Sequence, residues 1–173
     1  MLSSNLLTVL IWLPIVGGFV TLLMGDKNLA AARWVALGTA LLAFVLCIPL
    51  YLGFDGSTAA FQFVERGPWI PSFNADYHLG VDGISLPLIL LTTFVTIFVV
   101  IAGWTVITQR AAQYFGAFLI MEGLMVGVFS AMDSLLFYFF WEAMLIPVIS
   151  LAVGVCSTGK LRNAATSGVK NLP

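Results

Sequence analysis

Charge is the property that this sequence has least of. Only 9% of its 173 residues are charged and 61% are hydrophobic, whereas a typical soluble domain is about 25% charged and about 45–50% apolar. So little polar surface cannot cover a soluble globular domain, and so apolar a chain is not disordered. The seven Lys and Arg residues are scattered, which excludes a nucleic-acid-binding face. The composition therefore predicts an integral membrane protein whose surroundings are the lipid bilayer.

Residues and motifs that hold cofactors are also scarce. The two cysteines, Cys47 and Cys156, form no CxxC pair and are too few for a metal cage, and His78 is the single histidine. The sequence contains no GxGxxG or Walker motif. We therefore expect no metal, nucleotide, flavin or iron–sulfur cofactor in this chain.

Long hydrophobic runs, by contrast, are abundant. Five apolar stretches are long enough to cross roughly 30 Å of hydrocarbon as helices. Helices are expected because strand-like alternation is absent from these stretches and lipid cannot satisfy an open backbone. The predicted spans are Leu6–Met24, Trp34–Leu52, Ile84–Val106, Tyr114–Ala131 and Ser134–Val155. The predicted fold class is an all-α, polytopic membrane protein with five transmembrane helices.

The connections between these stretches carry charge asymmetrically. If the helices alternate in direction, six of the seven Lys and Arg residues fall on one side, whereas the connection 53–83 holds four acids against Arg66. The positive-inside rule then predicts the N-terminus outside and the C-terminus inside. The long connection is rich in Pro and aromatic residues, which favours a structured cap at the interface. At its end Asp82 can accept backbone N–H bonds and Pro87 suits a first turn, so a helix should begin there.

Two acidic residues, Glu122 and Glu142, lie inside predicted spans. An ionised carboxylate at the bilayer centre costs about 2.5–3.5 kcal/mol or more, so such residues generally face a bundle interior and mark an ion or proton path. Both lie about 12 Å from a membrane face, near the midplane. A desolvated carboxyl can cycle between charged and neutral forms, so we predict that both residues transfer protons. The alternative is a protonated, structural role with a hydrogen bond to a neighbour such as Tyr138.

The two spans that carry these acids are joined by a turn of only Met132 and Asp133, which predicts an antiparallel helix pair. Small residues line one stripe of the fourth span and allow close approach of the helices. The stripe consists of Gly116, Gly123, Gly127 and Ser130. Pro147 follows Glu142 and removes a backbone donor, which predicts a bend in the fifth helix near the acid.

Three motifs in this sequence resemble one family. They are residues 77–88 (YHLGVDGISLPL), 118–129 (FLIMEGLMVGVF) and 139–147 (FFWEAMLIP). In this order they resemble the N-terminal part of subunit M of bacterial NADH:quinone oxidoreductase, or respiratory complex I. The resemblance implies an antiporter-like, proton-translocating membrane subunit in the bacterial inner membrane, with no redox cofactor of its own. It implies as partners the neighbouring antiporter-like subunits and other membrane subunits of the complex.

The resemblance also implies roles for the two acids. Glu142 matches the family's fifth-helix glutamate, which pairs with a lysine on a later helix, and Glu122 matches its fourth-helix glutamate. Residues 1–155 then correspond to the N-terminal helices of a longer antiporter-like domain. Residues 156–173 form a polar tail that departs from the family and suggests truncation or a lost reading frame, so we expect no catalysis from this chain alone. The alternatives are a subunit of a multi-subunit Na⁺/H⁺ antiporter or membrane hydrogenase, and a truncated remnant that acts as a membrane scaffold.

Overall fold

The structure, a computed structural model, describes residues 5–25, 28–58, 60–73, 75–107 and 109–154. Within these ranges five helices are long and apolar enough to cross a membrane, which confirms the prediction of five spans. The helices are α1 (Leu6–Met24), α2 (Leu29–Leu52), α3 (Ser85–Val106), α4 (Ala111–Ser130) and α5 (Ser134–Ala143). After a turn at Met144 the fifth span continues as a helix to Gly154. The polar tail at 156–173 lies outside the described residues.

The observed helix bounds differ from the predicted ones for local chemical reasons. Helix α2 begins at Leu29 rather than at Trp34, because the sequence LAAA that opens it is a strong helix former. The interruption at Met144 follows from Pro147, which has no N–H to donate to the carbonyl of Ala143, four residues earlier. The helix is therefore broken close to Glu142, where the sequence predicts a bend.

Aspartates cap the N-terminal ends of α3 and α5. The Asp82 carboxylate accepts hydrogen bonds from the backbone N–H groups of Ile84 (3.1 Å) and Ser85 (2.7 Å) and from the Ser85 hydroxyl (2.5 Å), as the sequence predicts. These bonds, that of the Ser85 hydroxyl first, hold the pKa of Asp82 below its ordinary value of 3.8. Asp133 accepts two backbone N–H bonds at the start of α5, and these lower its pKa in the same way. Each aspartate satisfies donors that a first helical turn leaves without partners.

The connection between α2 and α3 contains a β-hairpin, so the all-α expectation is wrong for this segment. Strands β1 (Gln62–Ile70) and β2 (Ala75–Val81) pair in antiparallel fashion, with a 3₁₀ turn at Pro71–Phe73 between them. The lipid argument for helices applies to membrane-spanning segments, whereas strands outside the hydrocarbon can present their edges to water. Two register irregularities and Pro68 break the alternation that would have predicted these strands.

A carboxylate from this hairpin caps α1. The buried Glu65 side chain accepts hydrogen bonds from the backbone N–H groups of Leu7 (2.7 Å) and Thr8 (3.0 Å), and from the Thr8 hydroxyl (2.5 Å). Asn5, which precedes α1, supplies no side-chain cap. A negative charge at this position is also favoured by the helix dipole. The hairpin is thus tied to the first helix by a cap that comes from 58 residues away.

The hairpin also contacts the turn between α4 and α5. The Met132 N–H donates a hydrogen bond of 2.9 Å to the His78 carbonyl. Trp69 packs edge-to-face against Phe139 of α5, with ring centroids 5.2 Å apart. The hairpin, the start of α1 and the α4–α5 turn therefore lie at one end of the bundle.

Glycines bring α1 and α4 into direct backbone contact. A Cβ atom at Gly116 would lie 2.8 Å from the Gly18 carbonyl oxygen, and a Cβ atom at Gly18 would lie 2.7 Å from the Gly116 carbonyl oxygen. A Cβ atom at Gly123 would likewise meet the Ile11 carbonyl oxygen, whereas Gly127 faces an aromatic ring of α5. The small-residue stripe therefore serves mainly the approach of α4 to α1, and the expectation that it brings α4 and α5 together holds for Gly127.

The opposite end of the bundle carries basic residues. The Arg33 guanidinium, near the start of α2, donates a hydrogen bond of 3.1 Å to the Ile107 carbonyl, and Arg110 immediately precedes α4. Successive helices thus alternate in direction between a basic end and the hairpin end. Which end faces the cytoplasm stays a prediction of the positive-inside rule.

Cysteine labelling of intact cells tests this orientation. Ser72 in the hairpin and Gln109 before α4 are both exposed, so a cysteine at either position is reachable from its own side of the membrane. In a Cys156→Ser background, a membrane-impermeant maleimide should label Ser72→Cys and leave Gln109→Cys unlabelled, while Cys47 is buried and serves as the internal blank. Labelling at position 109 alone would reverse the orientation.

Candidate functional site

Glu122 lies on a buried stripe of α4. Phe115, Leu119, Glu122 and Val126 follow one another at helical spacing, and none is more than 1% exposed. Phe115 and Leu119 belong to an apolar cluster that α4 shares with α2 and α3. The stripe therefore faces α2 and α3 and places the Glu122 carboxyl inside the bundle, as the sequence predicts for this residue.

Four buried side chains with polar atoms, on three helices that pack together, are called here the polar layer. They are Cys47 of α2, Thr93 and Thr96 of α3, and Glu122 of α4. On the hairpin side the core continues with an apolar cluster that includes Leu50, Ile89 and Val126, and on the basic side with one that includes Ala40, Val100 and Leu119. Along α3 and α4 the polar layer lies between these two clusters, whereas on α2 Cys47 itself belongs to the first cluster, together with Ala43.

The neighbours of Glu122 in this layer are linked to each other and to their own helices. The Cys47 sulfur lies 3.6 Å from the Thr93 hydroxyl oxygen. The hydroxyls of Thr93 and Thr96 each lie 3.0 Å from a carbonyl oxygen of α3, to which they donate.

The Glu122 carboxyl itself has no hydrogen-bond partner among the described residues, although both of its oxygens are buried. An ionised carboxylate without partners is expensive in such surroundings, by several kcal/mol after relaxation. Buried polar groups nearly always have a hydrogen-bond partner. A buried group without one therefore indicates either a function or a partner such as a water molecule or an ion. The described residues contain no cluster of three or more His, Cys, Asp or Glu that could hold a metal ion. Exchange of a proton is the chemistry that a lone buried carboxyl can perform.

Glu142 lies on a face of α5 that the described residues leave exposed, so the structure places Glu122 in the interior, as expected, whereas the interior position of Glu142 stays a prediction. Its neighbours on this face are also exposed, Trp141 by 49% and Ile146 by 71%. Tyr138 lies one turn earlier on the same exposed face. It is the neighbour that the structural alternative for Glu142 names.

The two acids lie at the same level of the bundle but on different faces. Glu122 is eight residues before Ser130 (130 − 122) and Glu142 is eight residues after Ser134 (142 − 134), or about 12 Å along each helix from the shared turn. The structure does not join them by a hydrogen bond, because the Glu122 carboxyl has no such partner among the described residues.

Sequence reasoning missed the other members of the polar layer. Thr93 and Thr96 are three residues apart on a predicted span and therefore share a face, which is a detectable pattern. No pattern in the sequence, however, indicates that this face meets Glu122. Cys47 stands alone among apolar residues and is found only by packing.

Comparisons with known proteins give a consistent result. Residues 1–131 match the protein family described as NADH-ubiquinone oxidoreductase chain 4, amino terminus. The chain is similar to NADH-ubiquinone oxidoreductase chain 4 of Arabidopsis thaliana, with 40% identity over 146 residues, which cover 84% of this chain and 29% of that protein. It is also similar to NADH-quinone oxidoreductase subunit M of Rhodobacter capsulatus, with 40% identity over 159 residues, which cover 88% of this chain and 30% of that protein.

A solved structure shows a similar arrangement. A chain of respiratory complex I from Thermus thermophilus with bound NADH superposes with a TM-score of 0.61 and 30% sequence identity. The match covers 82% of this chain and 27% of that chain. The sequence therefore spans less than a third of the length of these relatives.

Proposed function

The chain belongs to the family described as NADH-ubiquinone oxidoreductase chain 4, amino terminus, and from this premise we propose that it works in the membrane arm of NADH:quinone oxidoreductase. The five membrane-length helices and the similarity to a chain of a solved complex I support the proposal. Its partners are then other membrane subunits of that complex, and its place is the cell membrane. In this role the chain moves protons while the chemistry of NADH and quinone takes place in other parts of the complex.

The finer proposal is that Glu122 accepts and releases protons inside the bundle. The observation that carries it is the buried carboxyl with no hydrogen-bond partner among the described residues, set in a polar layer between two apolar clusters. An intramembrane carboxyl of this kind is expensive to keep, which favours a role in transfer over one in packing. The apolar clusters on both sides of Glu122 hinder the uncontrolled passage of water. Proton movement through the bundle therefore depends on whether the Glu122 carboxyl holds or has released its proton.

We propose that Glu142 exchanges protons with the part of the subunit that follows in the longer relatives. Its outward face and the exposed apolar residues beside it suit a surface that further helices cover. The resemblance to subunit M implies a lysine on a later helix as its partner. The break after Ala143 leaves backbone carbonyls that can share this site.

A chimeric subunit tests the membrane-arm assignment. Residues 1–154 of this chain replace the matching part of subunit M in Rhodobacter capsulatus, which is 40% identical to it. We expect inverted membrane vesicles that carry the chimera to take up protons when NADH is added, at a rate above that of a strain without subunit M. The control is NADH oxidation with an artificial acceptor, which reports complex content. A chimera that is produced in normal amount but supports no more NADH-driven proton uptake than the strain without subunit M would contradict the assignment.

A further inference from the structure

A guanidinium without an acidic partner among the described residues lies at the basic end of the bundle. The half-buried Arg33 side chain donates one hydrogen bond, of 3.1 Å, to the Ile107 carbonyl at the end of α3. Its Nε atom is buried and has no hydrogen-bond partner among the described residues. The acids that the structure describes lie at the hairpin end or inside α4 and α5, and the one ion pair between described residues joins Arg66 to Asp76.

The Ile107 carbonyl does not replace a counter-charge for Arg33. The carbonyl end of a helix carries a partial charge of about half an electron. A guanidinium carries a full positive charge and five N–H donors, of which this bond uses one. Charges that are withdrawn from water are generally paired with an opposite charge. We therefore expect an anion from outside the described residues to lie beside Arg33.

Two tryptophans place Arg33 at the level of the lipid headgroups. Trp34 follows Arg33 in α2 and packs edge-to-face against Trp104 of α3, with ring centroids 5.3 Å apart. The Trp34 side chain is 66% exposed, and tryptophan rings on the surface of a membrane protein concentrate where hydrocarbon meets the headgroups. This ring contact and the bond from Arg33 to Ile107 both join the start of α2 to the end of α3 at one membrane face.

Arg110 adds a second cation close to the first. It follows Ile107 by three residues, so the Cα atoms of these two residues are at most about 11 Å apart. The Arg110 side chain is exposed and forms no ion pair with a described residue. Arginine matches the geometry of a phosphate group, and basic residues at a membrane face attract anionic lipids. The charge and the aromatic rings of this surface therefore complement a phosphate that carries acyl chains.

We propose that the two arginines and two tryptophans form one site for the phosphate of an anionic phospholipid, called here the headgroup site. Its members are Arg33, Trp34, Trp104 and Arg110. The Ile107 carbonyl holds the Arg33 guanidinium in place, and the remaining N–H groups of the guanidinium donate to the phosphate. Arg110 adds attraction from the water side, and the tryptophan rings contact the glycerol and the first part of the acyl chains. The headgroup site needs no proton transfer and is independent of the function proposed above.

Native mass spectrometry of the 173-residue chain in detergent tests the site, because it resolves protein with no lipid from protein with one bound lipid. Titration with phosphatidylglycerol and, separately, with phosphatidylcholine gives the dissociation constant of the first bound lipid. We expect tighter binding of phosphatidylglycerol, and an increase of about fivefold in its dissociation constant in Arg33→Gln, the effect of one basic residue at an anionic surface. Arg33→Lys keeps the charge and should bind phosphatidylglycerol more tightly than Arg33→Gln does.

Arg66→Gln is the matched control. It makes the same change of charge at the hairpin end, in an arginine that already has a partner, Asp76, at 2.6 Å, and it should bind phosphatidylglycerol as the parent does. Arg110→Gln changes an exposed side chain and should also weaken binding, which keeps the test decisive if Arg33→Gln does not fold.

Three results would overturn the headgroup site. The first is equal affinity of the parent for phosphatidylglycerol and phosphatidylcholine. The second is an unchanged affinity for phosphatidylglycerol in folded Arg33→Gln or, if that variant does not fold, in Arg110→Gln. The third is binding of inorganic phosphate as tightly as phosphatidylglycerol, which would show a site for a free anion rather than for a lipid.

Discussion

We expect Glu142→Gln, introduced into the full-length subunit, to lower NADH-driven proton pumping about tenfold or more while the complex assembles in normal amount. Glutamine keeps the shape of the side chain and its ability to hydrogen-bond with Tyr138, but it cannot take up or release a proton. Assembly should survive because glutamine has nearly the same shape as glutamate and Glu142 fills no part of the described core. The measurement is proton uptake by inverted vesicles, normalised to the content of assembled complex.

Two further variants separate charge from contact at this position. Glu142→Asp keeps the carboxyl on a shorter side chain and should keep more activity than Glu142→Gln. Tyr138→Phe removes the hydroxyl that the structural alternative pairs with the carboxyl, and it should pump nearly as the parent does. If Glu142→Gln pumps normally and Tyr138→Phe weakens assembly, Glu142 has the structural role.

We expect Gly123→Leu to prevent normal packing of α1 against α4. A Cβ atom at this position would meet the Ile11 carbonyl oxygen and would lie 2.7 Å from the Ile15 side chain and 3.1 Å from Pro14. The obstacle is partly backbone, which cannot rotate away, so α1 must move and lose contacts along its length. The expected cost is about 3 kcal/mol or more, at the upper end of overpacking effects. Unfolding of the chain in mixed detergent micelles measures this cost.

Gly38→Leu is the matched control for this substitution. Gly38 lies within α2, and a Cβ atom there would have no heavy atom within 4 Å. The same exchange at this site should be neutral or slightly stabilising, because leucine favours the helix over glycine by several tenths of a kcal/mol. Equal destabilisation at both sites would show that the backbone contact between α1 and α4 is not required.

The spans could be predicted from the sequence because one physical constraint decides them. A bilayer requires about 20 apolar residues per helix, and Leu6–Met24 has the same bounds in the prediction and in the structure. The Asp82 cap could be predicted for a related reason, since it depends on residues within three positions. Such local rules need no knowledge of the neighbouring helices.

The remaining features depend on distant contacts and could not be predicted. The small residues Gly116 and Gly123 indicate close approach without indicating that α1 is the partner. The Glu65 cap lies 58 residues along the chain from Leu7, from whose backbone N–H it accepts a hydrogen bond. For Glu142 the sequence gives the depth along the helix. It does not tell which face of α5 is covered, because that depends on what packs against the helix, and among the described residues the face that carries Glu142 is exposed.

The central claim is that the buried carboxyl of Glu122 carries protons, and the number of protons translocated per NADH oxidised tests it most directly. Full-length Glu122→Gln and its parent are compared in vesicles that contain equal amounts of assembled complex. Glu122→Gln should retain NADH oxidation and translocate fewer protons for each NADH, because glutamine fills the polar layer without exchanging a proton. An unchanged ratio of protons to NADH in a fully assembled Glu122→Gln complex would show that Glu122 does not carry protons.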